Sequence, residues 1–268
     1  MPPLALSEAA RVAEAAADAA RSEILPRFRN VAVQTKEDGS AVTEADLAAE
    51  RAIRAVLREA TPEIGILGEE YGEEGALDGR AWLVDPIDGT LSFSRGIPLF
   101  GTLIALLEDG VPVLGLIDLH ALGERTIGWR GGGVRCNGRP VRVSERADLA
   151  EAIVAHGDPY TFDLYGDRPA WERLSRDLRC PRGYTDCFGQ AQVVAGAVDA
   201  MVDLCLQSWD IAAALLLVRE AGGRAELLDR GPEHAYRFGL VAGSPPLVDQ
   251  LLDYVATPPS EDPRVIGR

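Results

Sequence analysis

The sequence predicts a layered α+β protein whose two halves differ in strand pattern and enclose a cleft. Its 268 residues suffice for a large core, and 47% are hydrophobic against 26% charged, as in ordinary globular proteins. Early in the chain, two apolar stretches flank Glu108-Asp109-Gly110 and predict an antiparallel hairpin. Later, strands and helices alternate, which indicates α/β layering. We therefore divide the chain into an N-terminal half, 1–145, and a C-terminal half, 146–268.

The N-terminal half opens with two predicted helices. Residues 7–25 carry small apolar side chains at helical spacing, with Ser7 as the expected N-cap. The second helix begins at TEADLAAERAIRAVLREA, where Thr43 and Asp46 have the spacing of a capping box. Both helices present an apolar face for packing.

Strands follow these helices. IGILGEE alternates like a short strand that ends at Glu69 and Glu70, and AWLV (81–84) is a strand that Pro86 is expected to break. FGTLIALLEDGVPVLGLID forms the hairpin, and ERTIGWRGGGVRCNGRPVRVS adds strands around an Asn137-Gly138 turn. In the C-terminal half the predicted order is strand EAIVAH, helix RPAWERLSRDL, helix GQAQVVAGAV, strand DAMVDLCL, helix IAAALLLVREAGG, strands AELL and GLVAG, and helix PLVDQLLDYVA.

Charge and composition exclude several classes of protein. A net charge of −15 repels nucleic acids and anionic membranes, and the longest uncharged apolar run, IAAALLLV, is too short to span a bilayer. The N-terminal stretch lacks the basic region of a signal peptide, so a cytoplasmic location is expected. The four widely spaced cysteines read as reduced thiols: Cys136, Cys180, Cys187 and Cys205.

Acidic residues recur where predicted apolar strands end. With only three histidines in the chain, such a cluster predicts an all-oxygen site suited to Mg²⁺, Mn²⁺ or Ca²⁺ and unsuited to zinc. Two alternatives stay open, because Asp88-Gly89-Thr90 also fits a turn with a helix N-cap, and Asp210 also fits an N-cap. The acids concerned are Glu69, Glu70, Asp85, Asp88 and Asp210.

Other chemistries lack their residues. The chain has no G-x-S-x-G for a nucleophilic serine and no G-x-x-x-x-G-K-[ST] for nucleotide phosphates. Metal-activated water is therefore the expected nucleophile. Of 27 basic residues only Lys36 is a lysine, which indicates either a need for a compact ammonium or chance survival on a loop.

Four motifs in order resemble the inositol monophosphatase family of Mg²⁺-dependent, lithium-sensitive phosphatases. They are TKEDGSAVTEAD, GEE, WLVDPIDGT and WDIAAALLLVREAGG, and they extend from about residue 35 to 223. The resemblance implies a sugar-phosphatase fold of alternating α-β-α-β-α layers, a homodimer, and two to three Mg²⁺ ions per site, with Mn²⁺ possible. Its motifs specify fold and metal chemistry more closely than substrate.

The resemblance also implies a set of metal ligands. Asp85 and Asp88 would share ions about 3.5–4 Å apart, the usual two-metal separation. Ile87 would ligate through its carbonyl group. The implied ligands are Glu69, Asp85, Ile87, Asp88 and Asp210.

Catalytic and phosphate-binding roles follow from the same resemblance. Glu69 and Thr90 would hold and deprotonate the attacking water, and Thr43 and Asp46 would steer Thr90. The capping-box interpretation of Thr43 and Asp46 is compatible with that role. Lys36 would lie near the phosphate and the outer metal. On the substrate side, the N–H groups of Gly89 and Thr90 would meet the phosphate at a helix N-terminus, beside Asp210.

For the substrate, PLFGTLIAL and DCFGQAQVVAGAVDAMVD most resemble the histidinol-phosphate phosphatase branch, whereas Leu91 and QSWD depart from it. Asp186 and Asp203 would place two acids beside the substrate's polar end, which favours a cationic amino alcohol over a neutral polyol. They also fit plain surface charges. Inositol-1-monophosphatase or a broad phosphatase is the alternative, followed by a nucleotide 3′-phosphatase or a non-catalytic regulatory relative.

Overall fold

A computed structural model describes residues 4–36, 41–164 and 168–266. Its helices are α1 (Leu6–Ile24), α2 (Glu44–Ala60), α3 (Thr90–Ser94), α4 (Thr161–Leu164), α5 (Arg168–Asp177), α6 (Asp186–Val194), α7 (Ser208–Glu220) and α8 (Pro245–Leu252). Across these described segments, none of the helices is both long and apolar enough to cross a membrane.

Most strands belong to one large sheet and one smaller sheet. In chain order they are β1 (Val33–Thr35), β2 (Ala41–Thr43), β3 (Gly65–Gly68), β4 (Gly72–Glu74), β5 (Arg80–Asp88), β6 (Gly101–Glu108), β7 (Val111–Leu119), β8 (Glu124–Trp129), β9 (Gly133–Cys136), β10 (Arg139–Pro140), β11 (Ile153–His156), β12 (Cys180–Arg182), β13 (Ala200–Leu206), β14 (Arg224–Asp229) and β15 (Phe238–Gly243). The large sheet has the order β10-β9-β8-β7-β6-β5-β3-β4, and the smaller has β12-β11-β13-β15-β14. β1 and β2 form a separate ribbon.

The sheets and helices stack in five layers. Helices α1 and α2 cover one face of the large sheet around Ile53 and Trp82. Helices α6 and α7 fill the space between the sheets, and α5 and α8 cover the outer face of the smaller sheet. Both sheets need cover on both faces because their strands are apolar on both sides. The expected α-β-α-β-α order is confirmed.

Turn chemistry fixes the hairpins where the sequence predicts them. Asp109 and Gly110 both have positive φ, at 50° and 80°, and Asn137 and Gly138 have φ of 47° and 77°. Two consecutive positive φ values are typical of the tight turn that suits twisted antiparallel strands. All four cysteines are described and are free thiols, as expected.

Two predicted element boundaries are wrong: the start of α1 and the end of β5. Ser7 does not cap α1; the helix begins at Leu6 with Ala5 as N-cap, and the N–H groups of Glu8 and Ala9 both donate to the Ala5 carbonyl at 2.9 Å. Leu4 and Leu6 pack against the core, and this packing favours a helix that begins at Leu6, earlier than a Ser7 cap would allow.

Pro86 does not break its strand either. β5 continues to Asp88, and its register with β6 shifts between Asp85 and Asp88. Proline is tolerated in a sheet at such an irregularity because the ladder there does not require its missing N–H.

Candidate active site

A β-bulge brings the paired acids of β5 to the same face of the sheet. Asp85 lies opposite Leu103 and Asp88 opposite Gly101, so three steps on β5 match two on β6. In a regular strand, residues three apart point to opposite faces, which would direct Asp88 toward α1 and α2. The extra residue reverses this, and both carboxylates face α7.

Asp210 completes a group of three carboxylates. One oxygen from each of Asp85, Asp88 and Asp210 lies within 4.8 Å of the other two. Asp210 is the third residue of α7 and not its N-cap, since Gln207 holds the cap position and donates its N–H to Asp210 Oδ2 at 2.7 Å. The Gln190 amide donates to the Asp210 carbonyl at 3.0 Å and ties α6 to α7.

Helix α6 positions Asp88 through its backbone. The Cys187 N–H donates a hydrogen bond to Asp88 Oδ2 in the first turn of α6. Helix N-termini favour negative charge, so this contact also partly neutralises the carboxylate. No local sequence pattern marks this contact, because the two residues lie 99 positions apart.

The electrostatics of the three acids favour a cation. Burial raises the pKa of Asp85, Asp88 and Asp210 well above the usual range, and mutual repulsion adds to it. Asp85 is only 2% exposed, and its Oδ1 meets no hydrogen-bond partner among the described residues. A buried carboxylate oxygen without a donor requires compensation, and a hard divalent cation supplies it. The donor set therefore fits Mg²⁺ or Mn²⁺.

Glu69 and Glu70 lie at the rim of this group. Lys36 Nζ bonds Glu69 Oε1 at 2.7 Å and Glu70 Oε1 at 2.8 Å, so the lone lysine partly offsets the charge of the two glutamates. Burial raises the pKa of Glu70 to about 7, although Lys36 opposes the shift. Behind the turn, buried Glu50 accepts the Glu70 N–H at 2.7 Å. Sequence reasoning missed Glu50, whose spacing fits an ordinary helix-face residue.

Thr43, Asp46 and Thr90 form a hydrogen-bonded chain. The N–H and hydroxyl of Thr43 both donate to Asp46 Oδ2, at 2.8 and 2.6 Å, in a true capping box. The Thr90 hydroxyl lies 3.0 Å from Asp46 Oδ1 and 2.9 Å from the Ile87 carbonyl. Burial raises the pKa of Asp46, against hydrogen bonds from Thr43 and Thr90. The capping and steering geometries therefore coexist.

Gly89 turns the chain out of β5 into α3. Its φ is 83°, and a Cβ there would stand 2.9 Å from the Leu99 carbonyl oxygen, so no other residue fits without strain. Gly89 is the N-cap of α3, which agrees with the turn-plus-cap alternative. Since α3 has only five residues, the dipole expected to favour an anion there is small.

Two further acids lie beyond Asp88. Asp203 is buried on β13, not on the surface, and half-buried Asp186 begins α6 with φ of 58°. Burial and then repulsion from Asp186 raise the pKa of Asp203 to about 7. Asp158 adds a third carboxylate that repels both. Sequence reasoning missed Asp158; a Cβ on its neighbour Gly157 would lie 2.5 Å from Asp203 Oδ1.

Comparison with known proteins agrees with this geometry. Residues 5–256 match the model of the inositol monophosphatase family. The chain is 41% identical to the histidinol-phosphatase of Chlorobaculum parvum over 73% of this chain and 75% of that protein. It is 37% identical to the inositol-1-monophosphatase of Mesorhizobium japonicum over 86% and 88% of the two chains.

A solved structure shows the same fold. The extragenic suppressor protein suhB of Bartonella henselae superposes with a TM-score of 0.82 at 32% identity, covering 91% of this chain and 96% of that one. Family match, identities and fold agree along nearly the whole sequence. The chain is a phosphoric monoester hydrolase that belongs to the inositol monophosphatase family.

Proposed function

We propose that this protein is a Mg²⁺-dependent phosphomonoesterase acting on histidinol phosphate. The observation that carries the metal dependence is the group of Asp85, Asp88 and Asp210, whose carboxylate oxygens approach within 4.8 Å while Asp85 Oδ1 has no hydrogen-bond partner among the described residues. Three acids at that separation, one buried and two half-buried, are costly unless cations accompany them.

The residues that would hold two to three Mg²⁺ ions, or Mn²⁺, are Glu69, Asp85, Asp88, Asp210 and the carbonyl of Ile87. When bound, such ions supply positive charge to phosphoryl oxygens and lower the pKa of a nearby water. The chain's own groups then orient substrate and move protons. Lys36, paired with Glu69 and Glu70, keeps a positive charge beside the phosphate.

Thr90 and Glu69 would orient and deprotonate the attacking water. A hydroxyl has one proton, and both Asp46 Oδ1 and the Ile87 carbonyl lie within reach of it, at 3.0 and 2.9 Å. If the Ile87 carbonyl holds a metal ion, Asp46 Oδ1 would accept the proton from Thr90. The Thr90 oxygen is then left as an acceptor for the water. Thr43 donates twice to Asp46 and so holds this direction of the chain. The backbone N–H groups of Gly89 and Thr90 would receive the phosphate oxygens.

A cationic alcohol portion suits the acids beyond the metal group. Asp158, Asp186 and Asp203 repel one another, and an ammonium or imidazolium would relieve that repulsion whereas a polyol would not. The name of the Chlorobaculum parvum relative supports histidinol phosphate. The name of the Mesorhizobium japonicum relative supports the second candidate, inositol 1-phosphate or a broad range of esters.

Phosphate release from a panel of esters with Mg²⁺ tests this proposal. The panel holds histidinol phosphate, inositol 1-phosphate, fructose 1,6-bisphosphate and adenosine 3′,5′-bisphosphate. We expect the highest kcat/KM on histidinol phosphate. A higher kcat/KM on inositol 1-phosphate would make that ester the assigned substrate instead of histidinol phosphate. No phosphate release from any ester would refute the enzyme assignment.

The cellular setting belongs to the same proposal. We infer a cytoplasmic homodimer that uses a small phosphorylated metabolite and neither nucleic acid nor membrane as partner. Its net charge of −15 supports the exclusion of polyanions. Analytical ultracentrifugation at micromolar concentration tests the dimer, since a monomer would give a molecular mass of 28.7 kDa and a dimer twice that value.

A further inference from the structure

Three polar side chains lie deep in the large sheet, beside the group of acids but not part of it. Thr102 on β6 is fully buried, and Asp118 and His120, on and just after β7, are each 1% exposed. Burying such groups is costly unless they are hydrogen-bonded. None of them has a part in the chemistry proposed above.

Contacts join these side chains into one chain that begins at the surface. Arg125 Nε donates to Asp118 Oδ2 at 2.7 Å, and Asp118 Oδ1 lies 3.3 Å from His120 Nδ1. His120 Nε2 lies 2.7 Å from Thr102 Oγ1. The Thr102 hydroxyl in turn donates to the Pro86 carbonyl at 2.7 Å.

The direction of these hydrogen bonds follows from counting protons. The single hydroxyl proton of Thr102 is used on the Pro86 carbonyl, so Thr102 Oγ1 accepts from its other neighbour. His120 Nε2 is therefore the donor. The imidazole thus orients the threonine hydroxyl, and its Nδ1 faces Asp118 Oδ1 at 3.3 Å without a hydrogen bond among the described residues.

Pro86 lies within the β-bulge. With Asp85 opposite Leu103 and Asp88 opposite Gly101, residues 86 and 87 together face Thr102 alone. A bulge leaves its extra residue outside the regular ladder, so side-chain contacts must hold its shape. The Thr102 hydroxyl supplies such a contact between the two acids.

We propose that Thr102, oriented by His120, is a positioning residue that fixes the bulge and hence the spacing of the Asp85 and Asp88 carboxylates. This inference rests on the proposed metal site. The hydroxyl touches neither substrate nor ligand, and acts through the backbone of Pro86. Loss of this contact loosens the site without removing any ligand.

Titration calorimetry with MgCl₂ alone, on the full chain, tests the proposal without any turnover. Thr102→Val keeps the shape of the side chain and removes the hydroxyl, whereas Thr102→Ser keeps the hydroxyl. We expect Thr102→Val to weaken Mg²⁺ binding by about 10-fold or more, the usual loss for a partner behind a ligand. Thr102→Ser should stay within about twofold of wild type. Kinetics should show a raised Mg²⁺ activation constant.

Controls separate positioning from general damage. Thr126→Val changes another buried threonine of the same sheet and should leave Mg²⁺ affinity unchanged. If Thr102→Val fails to fold, His120→Leu replaces it, with His120→Gln as the variant that retains a donor. Equal Mg²⁺ affinity in Thr102→Val (or His120→Leu) and wild type overturns the inference, as does an equal loss in Thr102→Ser. A wild type that binds no Mg²⁺ instead refutes the proposed function and, with it, this inference.

Discussion

Asp85, one of the proposed metal ligands, destabilises the fold when no metal is bound. Burial, followed by repulsion from Glu69, Asp88 and Asp210, raises its pKa, so its charged form destabilises the metal-free protein. Asp85→Asn keeps the shape and removes the charge. We expect the metal-free variant to have a higher free energy of unfolding than metal-free wild type.

The same variant should lose activity. Removal of one group that stabilises the transition state costs at least about 10² in kcat. Urea unfolding without metal and steady-state kinetics with Mg²⁺ measure the two effects. Asp78→Asn, at an exposed position, should change neither. Near wild-type kcat in Asp85→Asn would remove Asp85 from the ligand set.

Asp186 tests the choice of substrate. If a cationic group of histidinol phosphate lies against this carboxylate, Asp186→Asn loses a charged hydrogen bond of about 1.5–3 kcal/mol. KM for histidinol phosphate should then rise by roughly 10-fold to 100-fold, and turnover of a small neutral ester should hardly change. Equal losses on both esters would assign Asp186 to the fold or to the metal group instead.

Asp203 makes stability depend on pH. Burial, with repulsion from Asp186, raises its pKa to about 7 in the folded state, against about 3.9 unfolded. The folded state therefore binds the extra proton between these values, and stability is lost as pH rises toward 7. The free energy of unfolding of Asp203→Asn, measured relative to that of wild type, should therefore increase by about 2 kcal/mol as the pH is raised from 5 to 8. A pH-independent difference in metal-free unfolding would contradict this.

At the scale of elements, α2 holds the turn that carries Glu69 and Glu70. Glu50 and Arg54 form a buried ion pair at 2.7 Å, and Arg54 also donates to the Gly72 carbonyl at 2.6 Å. Glu50→Gln leaves Arg54 less compensated inside the protein. We expect a loss of about 3 kcal/mol in free energy of unfolding, as for other broken buried pairs.

An exposed pair on the same helix gives the matched control. Arg58 is 55% exposed and bonds Glu74. Arg58→Gln should therefore cost less than about 1 kcal/mol. Urea unfolding of both variants measures the difference, and equal costs would show that burial does not set the value of the Glu50 pair.

Elements with a clear period could be predicted from the sequence, and short irregular ones could not. The hairpin of β6 and β7 has turn residues that leave little choice. By contrast β1, β2 and β12 have three residues each, which is too few for a pattern to emerge. The continuation of β5 past Pro86 depends on Thr102, 16 positions away, so no local signal marks it.

At the scale of the whole molecule, the helical layer between the sheets joins the two sheets through one hydrophobic core. Its core takes Leu83 and Leu103 from the large sheet and Leu240 from the smaller one, packed around α7. Motif order and resemblance predicted a group of acids that includes Asp85, Asp88 and Asp210, and the structure brings one oxygen of each within 4.8 Å of the others. Their role as metal ligands stays a prediction. The contacts of Cys187 and Asp158 arise only when α6 and the smaller sheet pack against β5. The division at residue 145 stays a prediction.

Metal binding should stabilise the whole fold. A ligand at 100 times its dissociation constant adds about 2.7 kcal/mol to the folded state. For a chain of this size, Tm should then rise by roughly 5–10 °C with Mg²⁺. Excess chelator should abolish both the shift and phosphate release. Full activity in chelator would refute the metal mechanism.

The single lysine has a practical consequence for chemists. Burial would lower the pKa of Lys36, but Glu69 and Glu70 raise it above its ordinary value, which keeps its amine protonated and slow to acylate. No other side chain in the 268 residues carries a primary amine. An amine-directed label therefore has one side-chain target, beside the two glutamates. The rate at which Lys36 is labelled therefore reports how strongly Glu69 and Glu70 hold its ammonium group protonated.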